Sequence, residues 1–401
     1  MKVLQINSFF TVGGPPRIVN GIYDTLKENG HDCKIAAARE ELYVPEDSIR
    51  IGSKKDAYIN ALKARVFDNE GFNAKSATLK LIKDIEAYNP DIIHLHNLHG
   101  YFINVEILFD YLKKTNKPIV WTLHDCWTMT GHCAHFDFIG CDKWKTQCFD
   151  CPQLKEYPSS FGLDHSKNNY ISKKESFTGV PNMTIVTVSE WLKSVVKDSY
   201  LKEYDVKVIP NGLDLTKFKP VDCSNLKEKY GLQNKKVVLG VAQNWGLKKG
   251  LYDFFELSKI LPENYQLVMI GLTKNQLKEL PKNILGFERT NSIEELSEWY
   301  SVSDVFVNLS YEETMGLVTV EAMACGTPAI VYDRTAVPEV IDSHCGWIVK
   351  AGNVQEIKRR IETLDTKQNY VDACLNRAKA FEKNKQYNKY IKLYESLIER
   401  N

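Results

Sequence analysis

The stretch 310–328, SYEETMGLVTVEAMACGTP, constrains this chain more than any other. Ahead of it runs DVFVNLS (304–310), an apolar segment of strand length. Behind it comes AIVYD (329–333), a second one. Between them lie a polar loop and roughly three turns of good helix formers. Gly326 and Pro328 close that helix with the usual stop signals. Strand, loop, helix and strand in this order make a parallel unit. Its loop falls beyond the carboxyl ends of the strands, where such sheets bind ligands.

Two carboxylates mark the loop and helix. Glu313 and Glu321 stand with seven residues between them. Gly316 lets the backbone approach a ligand closely at the helix start, where unpaired N–H groups favour a phosphate. A carboxylate about two turns into such a helix can reach round and accept both hydroxyls of a sugar diol. The arrangement suits a nucleoside diphosphate sugar, with the anion at the helix tip, the ribose on Glu321 and the transferable sugar near Glu313. Two solvated acids at a helix start, favoured by the helix dipole, are the plainer reading of the same residues.

Glu313 and Glu321, with MGLVTVEAMACGTP between and after them, resemble the E-x7-E signature of glycosyltransferase family 4. The resemblance implies a retaining enzyme on the GT-B fold: α/β, with two Rossmann-like doubly wound domains facing across a cleft. In that family the first Glu holds the donor sugar and the second binds the ribose. Main-chain N–H groups just after the first Glu hold the diphosphate. Those roles fall here on Glu313, Glu321 and the backbone of Met315, Gly316 and Leu317.

A chain of 401 residues exceeds one ordinary core, so two domains of roughly 200 residues are expected. We place an acceptor-side domain at 1–205, a nucleotide-sugar domain at 206–380, and at 381–401 a helix returning to the first domain, the last from the resemblance. Lys and Arg number 52 against 51 Asp and Glu. That balance argues against a general nucleic-acid binder, whose surface would be clearly basic. The opening MKVLQINSFFTVGG reads as a strand, not a signal peptide. No run approaches 18 apolar residues, so no membrane span is expected and the protein is placed in the cytoplasm.

In the first half, KVLQINS is a strand and GGPPRIVNGIYDTLKENG a helix with prolines in its first turn. Gly13 and Gly14 make the turn between them. The unit lacks G-x-G-x-x-G and its acidic partner, which argues against a dinucleotide site. The family's GG-x-x-R element, whose glycine N–H meets the donor phosphate, is matched by Gly14 and Arg17. By itself Gly-Gly is a tight turn. Residues 53–83 carry seven basic and three acidic side chains with Tyr58, Phe67 and Phe72 among them. They make either a solvated helical face or a surface for an anionic membrane.

SATLKLIKDIEAYNP reads as an amphipathic helix with Leu79, Ile82 and Ile85 inward. DIIHLHNLHG is a strand carrying His94, His96 and His99, best read as hydrogen-bonded core histidines. PIVWTLHDCW is the next strand, ending at His124. A histidine there can contact a sugar hydroxyl and sense charge at a reaction centre. The family's T-x-H element, facing the donor sugar, is matched by Thr122 and His124.

The insert 131–152 is foreign to the general family pattern. Cys133, Cys141, Cys148 and Cys151 follow the spacing C-x7-C-x6-C-x2-C. The last pair has knuckle spacing for a structural Zn²⁺, with His132 and His135 as substitutes. Unligated thiols in a packed insert are the alternative. Similar inserts occur in a subset of bacterial surface-polysaccharide glycosyltransferases, which the chain resembles. KVIPNGLDLTKFKP then resembles the family's P-N-G-x-D-x-x-x-F crossing into the second domain, through Pro210, Asn211, Gly212, Asp214 and Phe218.

In the second half, apolar strands alternate with helices, the mark of a doubly wound parallel sheet. Lys248 and Lys249 precede Gly250 at a helix start. A lysine there can neutralise a diphosphate leaving group, and an ordinary loop lysine looks the same. The family sets an Arg before its K-G pair; Gln243 and Asn244 stand there instead, leaving Lys248 or Arg289 to compensate. Arg289 also suits the base pocket.

By resemblance the chain transfers a sugar from a nucleoside-diphosphate donor to a hydroxyl of a lipid-linked oligosaccharide. This would serve O-antigen, capsule or exopolysaccharide synthesis at the cytosolic membrane face, and no metal is required for catalysis. A nucleotide-sugar epimerase on the same fold and a non-catalytic sugar-nucleotide module are the rival readings.

Overall fold

The computed structural model describes residues 1–10, 14–39 and 47–400. Gly13 lies outside them. The chain divides into two compact units, one of Met1–Pro210 with the segment from Gln386 onward, the other Asn211–Lys385. Each is built on one parallel sheet.

The first unit holds β1 (Lys2–Phe9), β2 (Asp32–Arg39), β3 (Ile49–Arg50), β4 (Ile92–Leu95), β5 (Ile119–Leu123), β6 (Met183–Thr187) and β7 (Asp205–Val208). Their order is β3-β2-β1-β4-β5-β6-β7. Strands β4, β5 and β6 are buried along their whole length, as a sheet covered on both faces requires. The final helix, Lys383–Glu399, lays Tyr387, Tyr390, Ile391 and Tyr394 into this unit's core beside Val3, Ile22, Ile92 and Val120. Gly21 makes that seat: a Cβ there would lie 2.3 Å from the Tyr387 ring.

The second unit holds β8 (Lys236–Val241), β9 (Tyr265–Ile270), β10 (Ile284–Phe287), β11 (Val305–Asn308), β12 (Ala329–Tyr332) and β13 (Gly346–Val349). Their order is β10-β9-β8-β11-β12-β13. The sheet grows outward in one direction from β8 and in the other from β11. The loops after these two strands therefore diverge, leaving a crevice at the switch point.

Two expectations are corrected. The helix after β11 runs only Leu317–Ala324, two turns rather than three, because Gly316 (φ 80°) and Gly326 (φ 76°) bound it in left-handed backbone. Helix Lys75–Tyr88 buries Thr78, Leu81 and Ile85, while Leu79 faces solvent.

Candidate active site

Charged residues of two loops face each other in the crevice between β8 and β11. The loop after β8 carries Asn244, then a short 3₁₀ turn, Leu247–Lys249, ending at Gly250. The loop after β11 carries Glu312 and Glu313. Lys249 Nζ meets the Glu313 carboxylate and also donates to the Glu312 carbonyl at 3.2 Å. Lys248 Nζ lies 3.1 Å from Glu312 Oε2. The Tyr311 N–H donates to the Lys248 carbonyl at 2.8 Å. Two lysines of one loop thus face two acids of the other.

Packing fixes both loops. Asp253, in helix Leu251–Ile260, accepts from the Tyr311 and Tyr332 hydroxyls, each at 2.9 Å. Asn308 donates to Thr319 Oγ1 at 3.0 Å and accepts from the Ser310 N–H, joining the end of β11 to the helix. The Glu313 N–H donates to Thr335 Oγ1 at 3.0 Å. Thr335 has φ 48°, a costly conformation for a β-branched residue and one that gathers at functional sites.

Gly316 starts helix Leu317–Ala324 with no side-chain cap. Its first N–H groups have no partner within the helix itself, which makes the tip an anion-seeking end. Met315 is buried, so any ligand role falls to its backbone. Glu321 is the fifth helical residue, about one turn in rather than two. It is 4% exposed and accepts from the Tyr300 hydroxyl at 2.9 Å. Tyr300→Phe should therefore leave a buried carboxylate short of a donor and destabilise the unit by about 1–3 kcal/mol, read by urea unfolding. An unchanged midpoint would show that the bond contributes nothing. Arg289 is exposed after the edge strand β10, with β9 between that strand and β8.

The remaining site residues lie in the first unit. Gly14 and Arg17 stand in the first turn of helix Gly14–Glu28, Arg17 exposed. His124 follows β5, its Nε2 3.1 Å from His96 Nδ1. His96 Nε2 faces Gln5 Oε1 at 3.1 Å, while Gln5 Nε2 donates to the Val19 carbonyl. The amide oxygen can only accept, so His96 carries its proton on Nε2 and accepts from His124 at Nδ1. His94 bonds Thr122 Oγ1 at 2.8 Å and the Tyr394 hydroxyl at 2.6 Å. His94 and His96 are thus hydrogen-bonded core histidines, the reading favoured from sequence.

Burial holds His94 and His96 well below the ordinary histidine range and brings His124 down to about 4 despite Asp125. Burial opposes charge on His99 too, but the Asp125 carboxylate 2.7 Å away raises it. The sign follows. Depressed groups stabilise fully above about 6.5, and that stability is lost as pH falls toward 4, where the unfolded chain takes up protons first. His99 acts oppositely, at higher pH. The guanidinium midpoint should drop between pH 7 and pH 5, and His94→Gln should flatten the drop. A midpoint unchanged over that range would refute the account.

Sequence reasoning missed Glu312, Tyr300, Thr335 and the His99–Asp125 pair. Consecutive acids facing consecutive lysines were a signal for Glu312. Tyr300 and Thr335 gave none, because only packing brings them to the site. All ten cysteines are free thiols, and among the described residues no three His, Cys, Asp or Glu side chains already close as a metal cage.

The profile described as Glycosyltransferase Family 4 matches residues 12–217, more than half the chain, and Glycosyl transferases group 1 matches 222–394. The chain belongs to glycosyltransferase family 4, and its two parallel-sheet units are those of the GT-B fold. It is a glycosyltransferase, as the E-x7-E resemblance implied. The putative colanic acid biosynthesis glycosyl transferase WcaC of Escherichia coli is 26% identical over 317 residues, covering 75% of this chain and 74% of WcaC. Among solved structures, sucrose-phosphate synthase from Thermosynechococcus elongatus superposes with TM-score 0.74 at 16% identity over the full length of both chains. Anabaena HepE, solved in complex with UDP, superposes with TM-score 0.70 at 15% identity, over 99% of this chain and all of HepE.

Proposed function

We propose that the crevice between β8 and β11 binds the diphosphate of a nucleotide sugar, and that the sugar passes with retention to a lipid-linked oligosaccharide during surface-polysaccharide synthesis. One observation carries the reading: Lys248 and Lys249 face Glu312 and Glu313 beside an uncapped helix tip at the switch point. A diphosphate arriving there gives the lysines a second set of anions and the helix N–H groups an acceptor. Lys249 and the N–H groups at Gly316 and Leu317 then stabilise charge building on the leaving diphosphate. Glu313, released from Lys249, holds the donor sugar, and Glu321 takes the ribose. Lys248 shares the phosphate, Asn244 stands beside it, and Arg289 serves the base. In the first unit, Gly14, Arg17 and His124 are the residues that the family resemblance assigns to the donor. The polysaccharide role is supported by the likeness to WcaC, and a nucleotide donor by the UDP held in HepE.

The test incubates the protein with radiolabelled nucleotide sugars and bacterial lipid extract. Label entering the lipid fraction with the anomeric configuration kept supports the reading. An altered free sugar means an epimerase, and no binding of any nucleoside diphosphate refutes the site.

A lipid-linked acceptor calls for a membrane face, and helix Lys54–Phe67 supports one. Among the described residues no helix is long and apolar enough to cross a membrane, so contact would be peripheral. That helix buries only Asn60 and Ala64, while Tyr58 (80% exposed), Ile59 (53%) and Leu62 (58%) face outward. Lys54, Lys55, Lys63 and Arg65 are exposed around them. Apolar residues ringed by basic ones suit an anionic interface. Tyr58→Ser with Leu62→Ser should reduce sedimentation with phosphatidylglycerol vesicles about tenfold, at roughly 0.8 kcal/mol per buried CH₂. Equal binding by the variant would remove the helix from the proposal.

A further inference from the structure

The thiols of Cys133, Cys141, Cys148 and Cys151 all line one cavity of about 10 Å³ in the first unit. That is about the threshold for a single water-sized occupant. The Cys133 and Cys151 side chains are hydrogen-bonded to each other. Cys148 Sγ accepts from the Gly131 N–H at 3.2 Å, and Cys151 Sγ from the Gln153 N–H.

An independent observation comes from His132, which lines the same cavity and is 2% exposed. Its Nδ1 bonds Asp68 Oδ1, and its Nε2 has no hydrogen-bond partner. Asp68 is held in turn: its other oxygen accepts from the His165 N–H at 2.8 Å, and its carbonyl from Asn169 Nδ2 at 2.5 Å. A carboxylate accepts, so Nδ1 carries the proton and Nε2 presents a lone pair in the neutral ring. A buried, unpartnered imidazole nitrogen is costly unless something binds it. A carboxylate on the far nitrogen is the outer partner that metal-bound histidines carry.

We propose that this cavity is a structural zinc site, with Zn²⁺ held by His132 Nε2 and the thiolates of Cys133, Cys148 and Cys151, and with Asp68 orienting the histidine. The three thiols each release a proton on loading and nothing is oxidised. The side chains line the cavity without closing on one point, and the metal supplies the closure, as it does where ligands order around their ion. Cys141 is the fourth thiol of the wall and stays outside the ligand set. By tying 132–133 to 148–151, the ion would anchor the loop that follows β5.

Metal analysis of untagged protein should find about one zinc per chain. Cobalt substitution should give thiolate-to-metal absorption of three sulfurs, not four. Cys141→Ser should keep its zinc, His132→Gln should hold it at least tenfold more weakly, and Asp68→Asn should weaken it about 10–100-fold. Less than about half an equivalent of zinc in folded wild-type protein would overturn the site. A four-sulfur cobalt spectrum, or loss of zinc in Cys141→Ser, would overturn the assignment of His132. Because metal content and the cobalt spectrum are read on the wild-type chain, misfolding of the His132 variant leaves the test intact.

Discussion

Replacing Lys249 with alanine is expected to lower kcat/KM for sugar transfer about 10²–10³-fold, the usual cost of removing one fixed charge from a developing anion. The ammonium sits between the Glu313 carboxylate and the Glu312 carbonyl, and the proposed diphosphate would meet it there. The loss should fall on kcat more than on KM, since charge on the leaving group is greater in the transition state than in the bound donor. Lys249→Arg should recover part of it, because the charge remains while the geometry shifts. Lys259→Ala provides the control: that lysine pairs with Glu256 on an exposed helix face, and its removal should change rates less than twofold. A Lys249→Ala enzyme working within about twofold of wild type would mean that another group neutralises the leaving diphosphate.

Gly250→Ala should be a damaging single methyl group at the site. Gly250 has φ 71°, and its Cβ would stand 2.5 Å from the Leu309 carbonyl oxygen. Left-handed backbone costs a non-glycine residue about 1–2 kcal/mol, and the clash with a backbone atom that cannot swing away adds to it. We expect a total of about 2–4 kcal/mol, read as a lower urea midpoint. Gly250 ends the turn bearing Lys248 and Lys249 where it presses on the chain leaving β11. Relief of the clash must therefore part the two loops, and donor binding should weaken with stability. Gly140→Ala, at φ 62° but with nothing near its Cβ, isolates the backbone penalty. Equal midpoints for the two variants would show that the Leu309 contact does not matter.

The family and the two-sheet architecture were legible because they rest on local patterns. The apolar runs at β8, β9, β11 and β12 are short and bounded by turn residues, and E-x7-E with its glycine fits one loop and one helix start. Strand β2 was not legible: DCKIAAAR is rich in alanine, a helix former, and becomes a strand because β1 pairs with it along its length. The inward stripe of helix Lys75–Tyr88 was misread because Leu79 is the larger apolar residue. Yet Thr78 is the one buried, with its hydroxyl accepting the Asn104 N–H at 2.8 Å. The closing helix, expected at 381–401, runs Lys383–Glu399, and a 3₁₀ turn at Lys379–Phe381 separates it from helix Val371–Ala378.

What the sequence determined alone was the chemistry on offer: two acids with seven residues between them, a lysine pair before a glycine, a histidine at a strand end, four cysteines in one insert. Periodicity and turn residues are encoded within a few positions of one another, so they can be read from a single strand of text. What the tertiary structure decided was which of these groups meet. Lys249 reaches Glu313 across 64 positions, Tyr300 reaches Glu321, and Asp68 reaches His132. Such pairings depend on strand order and on how helices pack over the sheet, and a side chain carries no local mark of a partner that only folding brings near.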